Sequence, residues 1–181
     1  MTTNHQSRLI WIDLEMTGLK PEEHVILEIA SVVTDDQLEI VAEGPNIAVS
    51  VEKEALDHME EWSRTHHEKS GLLDRVRNSP DVCRNAEEKT LKFLSDYCDK
   101  EKSPMCGNSV WQDRRFLYEH MPRLEAFLHY RIIDVSSIKE LVRRWYPQSP
   151  PFEKQKSHLA LDDIKESIEE LKYYRQHVFL P

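Results

Sequence analysis

Acidic side chains recur at three places in this chain where their spacing could do chemistry, and a histidine joins the last of them. Asp13 and Glu15 stand two apart at the end of the apolar run Leu9-Ile10-Trp11-Ile12. On a strand successive side chains alternate faces, so both carboxylates point to one side. The run is apolar at every position, as in a central strand covered on both faces. Two acids on one face of such a strand repel each other and lose hydration unless a cation joins them. Hard divalent cations such as Mg2+ take oxygen ligands and suit that arrangement. A lone Asp-x-Glu recurs by chance, and a strand exposed by residue 13 would leave both acids solvated. Asp113 lies near the start of a helix that follows a short strand, the kind of junction where open α/β sheets gather ligands. His158 and Asp162-Asp163 open the final helix, where acids are also favoured by the helix dipole without any further role.

Periodicity separates the last two acids. Leu161, Ile164, Ile168 and Leu171 mark the buried stripe of the final helix. At about 100° per residue Asp162 lies nearly opposite the centre of that stripe and Asp163 on its flank. Asp163 therefore reaches a crevice at the edge of the core, and Asp162 faces water.

The elements that must position these residues follow from pattern. Residues 1–7 read as a disordered tip, and residues 8–181 as a single domain. Leu9–Glu15, Val25–Thr34 and Leu38–Val51 read as strands, the last interrupted by Gly44-Pro45, with breaks short enough for antiparallel hairpins. Lys53–Trp62 and Thr65–Arg77 read as short helices. Ser79-Pro80 has the form of a helix start, with Val82, Ala86, Leu91, Leu94 and Cys98 directed inward. Pro104–Gly107 and Ile132-Ile133 read as short strands, each followed by a helix capped by Asn108 or Ser109 and by Asp134 or Ser136. Gln148–Lys156 is a proline-bearing loop, and the last helix spans about Leu159 to His177. Strands first, then alternating short strands and helices, argue for an α/β domain with a mixed sheet flanked by helices.

A chain of 181 residues with 39% hydrophobic and 31% charged content fits a globular protein with a sizeable core. No apolar stretch approaches a membrane span, and the start lacks a cleavable leader pattern, so the expected location is the cytoplasm. Cys83, Cys98 and Cys106 form neither a disulfide framework nor a zinc pattern. The net charge of −9 argues against a surface that grips long nucleic acid. Its distribution is uneven: residues 1–101 carry −11 and residues 102–144 carry +3. A local basic patch on an acidic protein suits a small anionic ligand, although arginines on solvated helix faces give the same charge pattern.

Taken in order, Asp13-Leu14-Glu15, Asn108-Ser109-x-x-x-Asp113 and His158-x-x-x-x-Asp163 resemble the three motifs of the DEDDh 3'-to-5' exonucleases. Within that family the chain is similar to the oligoribonucleases. The resemblance runs from about Leu9 to Tyr174 and includes Met16-Thr17-Gly18-Leu19, Cys106-Gly107-Asn108-Ser109, Asp134-Val135-Ser136-Ser137 and Leu161-Asp162-Asp163-Ile164. Each motif is weak alone; the order over nearly the full length is specific.

The resemblance implies a ribonuclease H-like fold and hydrolysis of short single-stranded oligoribonucleotides, especially dinucleotides, to 5'-mononucleotides. It implies that Asp13, Glu15, Asp113 and Asp163 hold two divalent ions, Mg2+ or Mn2+, and that His158 is the general base. Its imidazole, with an unperturbed pKa near 6.5, accepts a proton at neutral pH. Leu19 would wedge between bases, with Trp62 and His67 beside the base and the scissile phosphate, and Ser109 near the site. Tyr130 from a neighbouring subunit, Arg131 and Ser136 would contact the far phosphate, which implies a homodimer and no stable complex with long nucleic acid. The chain departs from the family at Leu159, where relatives carry a basic residue after the histidine, and near Trp111, where they carry a small one. A DNA-directed exonuclease with the same carboxylates, and a nucleotide-binding module without turnover, are the rival readings.

Overall fold

Residues 8–153 and 159–179 are described in a computed structural model of the chain. Three antiparallel strands, β1 (Leu9–Met16), β2 (Ile26–Thr34) and β3 (Ile40–Ala48), join two short parallel strands, β4 (Met105–Gly107) and β5 (Ile132–Asp134). The sheet order is β3-β2-β1-β4-β5. Around it lie α1 (Lys53–Asp57), α2 (Glu61–Lys69), α3 (Leu72–Arg77), α4 (Cys83–Tyr97), α5 (Val110–His120), α6 (Pro122–Glu125), α7 (Val135–Trp145) and α8 (Ala160–His177). The mixed sheet with antiparallel opening strands matches the expected class. Among the described residues no helix is long and apolar enough to cross a membrane.

β1 is central, pairing with β2 on one side and β4 on the other. Its alternation divides the core. Ile10, Ile12 and Leu14 pack with residues of α4, α5 and α6. Trp11 packs on the other face with Ala30, Val32, Val135, Ile164 and Ile168. Fully buried Trp11 donates its indole N–H to Thr34 Oγ1 at 3.0 Å, as a buried indole requires. The next two side chains on that face are Asp13 and Glu15. One strand thus carries core at its start and the acids at its end.

Several local expectations are corrected by tertiary contacts. Gly44-Pro45 does not interrupt β3. Glu43 pairs with Val32 and Asn46 with Ala30, so the two residues form an irregularity in an edge strand, where proline is tolerated. A Cβ on Gly44 would lie 2.4 Å from Ser31 Oγ. Residues 53–77 form three helices rather than two, broken at His58 and at Gly71, whose φ of 74° is left-handed. Ser79-Pro80 does not start α4. The Ser79 hydroxyl donates to Ala48 O at 2.6 Å and accepts from Asp81 N at 3.1 Å, so it is tied to the end of β3. α4 begins at Cys83, and Val82 is exposed rather than inward. α6 was not foreseen; buried Glu87 accepts from Arg123 N and Leu124 N at its start, at 2.7 and 3.1 Å.

Candidate active site

The acids come together through two local periodicities and one packing contact. Strand alternation sets Asp13 and Glu15 on the face of β1 that α8 covers. On α8, Ile164 and Ile168 are buried, Asp162 is exposed and Asp163 is half-buried. One carboxylate oxygen each from Asp13, Glu15 and Asp163 lies within 4.8 Å of the others. Asp113, 6% exposed in the first turn of α5, reaches the same stretch of β1. The β1–β4 pairing ends at Trp11 and Cys106, and beyond it Asp113 Oδ1 accepts the backbone N–H of Leu14 at 3.0 Å. That hydrogen bond docks Asp113 against the residue between the other two acids.

Proximity and burial hold protons on this cluster. The Asp13 carboxyl is raised well above its usual range by burial, then by Asp113, Glu15 and Asp163. Glu15 is pushed up to about 8 by burial, then by Asp163, Glu28 and Asp113. Burial also raises Asp113 to about 7, opposed by the Leu14 N–H bond. Glu28, fully buried on β2 and directly opposite Glu15 in register, is an acid that pattern reading missed. Its carboxylate lies 2.6 Å from the Arg75 guanidinium of α3. The available signal was a glutamate inside the otherwise apolar run Ile26-Leu27-Glu28-Ile29.

His67 of α2 is buried beneath the acids rather than presented to solvent. Its Nε2–H donates to Met16 O at 2.9 Å, and Nδ1 lies 3.7 Å from Glu15 Oε2. Leu19 and Trp62 are 61% and 63% exposed, so neither fills the core. Trp62 stacks on His66 with ring centroids 3.9 Å apart. The turn carrying Leu19 is held from two sides. Gln112 of α5 donates to Leu19 O, and buried His24 sits so close to Gly18 that a Cβ there would lie 2.4 Å from its Nε2.

A second cluster forms where β4 and β5 end. Ser109 does not cap α5 through its side chain; it has a left-handed φ of 52°. Its N–H lies 3.0 Å from both Asp134 Oδ1 and Ser136 Oγ, and its hydroxyl 3.2 Å from Ser136 Oγ. Asp134 caps α7 by accepting Ser136 N at 2.9 Å. Tyr130 and Arg131 are exposed, with the guanidinium 5.1 Å from the ring centroid. No hydrogen bond or ring contact among the described residues joins them to Ser109 or Ser136. The basic stretch is largely consumed internally: Arg114 bridges Glu125, Arg123 bridges Glu88, and Arg143 and Arg144 both bridge Glu140. His158, part of the loop at 148–156 and the tip at 1–7 lie outside the described residues.

Residues 10–171 match the Exonuclease family RNase_T. The chain is 58% identical to an oligoribonuclease of Hydrogenovibrio crunogenus, covering 97% of this chain and 96% of the relative. It is 59% identical to an oligoribonuclease of Vibrio cholerae, covering 94% and 95%. Its fold is similar to that of E. coli Exonuclease I solved with a dT13 oligonucleotide, with a TM-score of 0.73 and 13% identity. The match covers 95% of this chain but 42% of that one, so the chain spans under half the length of that protein. Sheet order, helix placement and these likenesses agree on a ribonuclease H-like exonuclease fold, and by sequence the chain belongs to the oligoribonuclease family.

Proposed function

We propose that this chain is a 3'-to-5' exoribonuclease that hydrolyses very short oligoribonucleotides, dinucleotides above all, to 5'-mononucleotides. The observation that carries the reading is the convergence of Asp13, Glu15 and Asp163 within 4.8 Å, with Asp113 docked on the backbone between the first two. The donor set fits a divalent cation: it offers only oxygen atoms, and its raised carboxyls mark a cluster short of positive charge. Asp13, Glu15, Asp113 and Asp163 would hold two such ions, Mg2+ or Mn2+, which when bound stabilise charge on the attacking and leaving oxygens of an in-line displacement.

The chain's own residues orient the reactants and move the proton. Water attacks the phosphorus of the terminal phosphodiester, the bond to the 3'-oxygen of the preceding nucleotide breaks, that oxygen takes a proton from solvent to leave as a 3'-hydroxyl, and a 5'-mononucleotide is released. His158 takes the proton of the attacking water as general base. Its assignment rests on the resemblance of His158-x-x-x-x-Asp163 to the third DEDDh motif. Leu19 and Trp62 offer apolar faces to bases, and base–aromatic stacking is worth roughly 1–3 kcal/mol per base. His67 stands beside the base and the scissile phosphate, its ring held by Met16 O and close to Glu15. Ser136 and Arg131, with Tyr130 of the partner subunit in a homodimer, hold the far phosphate of a short substrate, and Ser109 lies near the site beside Ser136. Free thiols at Cys83, Cys98 and Cys106 suit a reducing compartment, the cytoplasm.

The test is product analysis after incubating 5'-labelled RNAs of two to seven nucleotides, and DNA dinucleotides, with Mg2+ or Mn2+. Fastest conversion of RNA dinucleotides to mononucleotides is expected. Faster turnover of DNA transfers the reading to a DNA exonuclease, and binding without turnover leaves a nucleotide-binding module.

A further inference from the structure

Between the acids and the serine pair runs a chain of hydrogen bonds that the mechanism above does not use. Ser136 Oγ accepts the Ser109 N–H and donates to Asn108 Oδ1 at 3.0 Å. Asn108 Nδ2 donates to Ser167 Oγ at 2.6 Å and to Glu170 Oε2 at 3.2 Å. Ser167 Oγ donates to the backbone carbonyl of Asp163 at 2.7 Å. Each hydroxyl has a single proton, so these bonds run in one direction from the serine pair to the residue that carries the Asp163 carboxylate. The amide cannot be turned over: its oxygen would then face the Glu170 carboxylate.

The far side of this chain is anchored. Glu170 is 1% exposed, and its Oε1 accepts from Lys139 Nζ at 3.0 Å and Tyr174 OH at 2.9 Å. Asn108 thus joins three elements through one side chain: the β4–α5 turn that bears it, α7 through Ser136, and α8 through Ser167 and Glu170. Its neighbour Ser109 is held at positive φ, a conformation costly for a residue with a Cβ that persists only where its surroundings over-determine it.

We propose that Asn108 is a positioning residue that fixes the span between the Ser109–Ser136 end of the site and Asp163, and so sets the length of RNA that is turned over. The proposal rests on the exoribonuclease reading for its substrate and deepens it by naming a length-determining residue. With the span fixed, an RNA whose far phosphate reaches Ser109 and Ser136 presents its scissile phosphate to the acids in register. A longer RNA gains nothing from that register. Loosening α8 against the turn therefore penalises the shortest substrate selectively.

Asn108→Ala and Ser167→Ala test this; the second removes one hydroxyl and keeps the test alive if the first does not fold. The expected kcat on a 5'-phosphorylated RNA dinucleotide falls about 10–100-fold, the usual effect of losing a group that orients a ligand residue. KM is expected to stay within about threefold, and kcat on a five-nucleotide RNA to fall at least about fivefold less. Calorimetric titration with Mn2+ alone is expected to show about tenfold weaker binding in both variants. Equal losses of kcat on both RNAs, or unchanged Mn2+ affinity, overturn the proposal. If the wild-type chain hydrolyses neither RNA, the exoribonuclease reading itself falls and the length claim with it.

Discussion

The two ends of the site are built on opposite electrostatic plans. At one end Asp13, Glu15 and Asp163 stand within 4.8 Å, with buried Glu28 facing Glu15 across the sheet. Like charges share a crevice there, and burial keeps protons on Glu15 to about pH 8. At the other end each side-chain donor of Ser109, Ser136 and Asn108 has an acceptor within 3.2 Å. The side-chain donors of that end are satisfied within the chain, whereas the acidic end stores repulsion that only added positive charge or protons relieve. Ligand binding at the acids must therefore exchange protons, and binding at the serines need not.

The largest expected effect comes from dismantling the acidic end. Asp13→Ala, Glu15→Ala, Asp113→Ala and Asp163→Ala should each nearly abolish hydrolysis, checked by dinucleotide turnover in Mn2+. The stabilities should divide these variants. Removing Asp13 or Glu15 relieves repulsion, so the melting temperature in chelator should hold or rise. Asp113→Ala also strips the acceptor from Leu14 N–H, a loss of roughly 1–3 kcal/mol if that group stays buried, so it should gain least or fall.

Next in size is His158. As general base it should be worth roughly 10²–10⁴-fold in turnover, with little change in binding. The wild-type rate should rise with pH through imidazole deprotonation, and that limb should vanish in His158→Ala at saturating Mn2+. An unchanged limb with weakened binding would make the histidine an orienter of substrate.

The exposed Tyr130 allows a test of subunit sharing. Asp113→Ala and Tyr130→Ala proteins, each impaired, should regain some activity when mixed, because hybrid dimers assemble one intact site. A fully active monomer in solution would remove Tyr130 from the neighbour's site.

A smaller effect separates the two ends by pH. For Glu15 the folded value of about 8 stands above the ordinary 4.5, and for Asp113 about 7 stands above 3.8. The folded state binds protons that the unfolded chain has released, so apo stability should fall as pH rises from about 4 to about 8. Mn2+ should flatten that slope in thermal melts, and its binding at pH 7 should release protons, read by calorimetry in buffers of different ionisation enthalpy. Ser136→Ala should leave the slope unchanged. The smallest effect belongs to exposed Asp162, whose change to alanine should stay within about 0.5 kcal/mol in stability and near wild type in turnover.

Particular residues show how far the amino-acid sequence reaches. The alternation Trp11-Ile12-Asp13-Leu14-Glu15 put both acids on one face, and the stripe Ile164–Ile168 separated Asp162 from Asp163. Asp134 was legible as the cap of α7. These features depend on backbone periods of two and 3.6 residues and on hydrogen bonds between near neighbours, so a short window contains them. Ser79, Val82 and Ser109 were not legible in the same way. Their local patterns named plausible caps and inward faces, but Ser79 bonds Ala48 across 31 residues and Ser109 bonds Ser136 across 27.

The sequence by itself therefore determined the mixed α/β class, the β1 acid pair and the face of α8 that Asp163 occupies, because periodicity is set by local backbone geometry. Only the tertiary structure decided that Glu28 meets Arg75, that Asp113 takes the Leu14 N–H, and that Asn108 ties the serine pair to Asp163. A buried polar group must find a partner, but which one it finds depends on which elements pack together, and that choice is made across distances no local pattern spans.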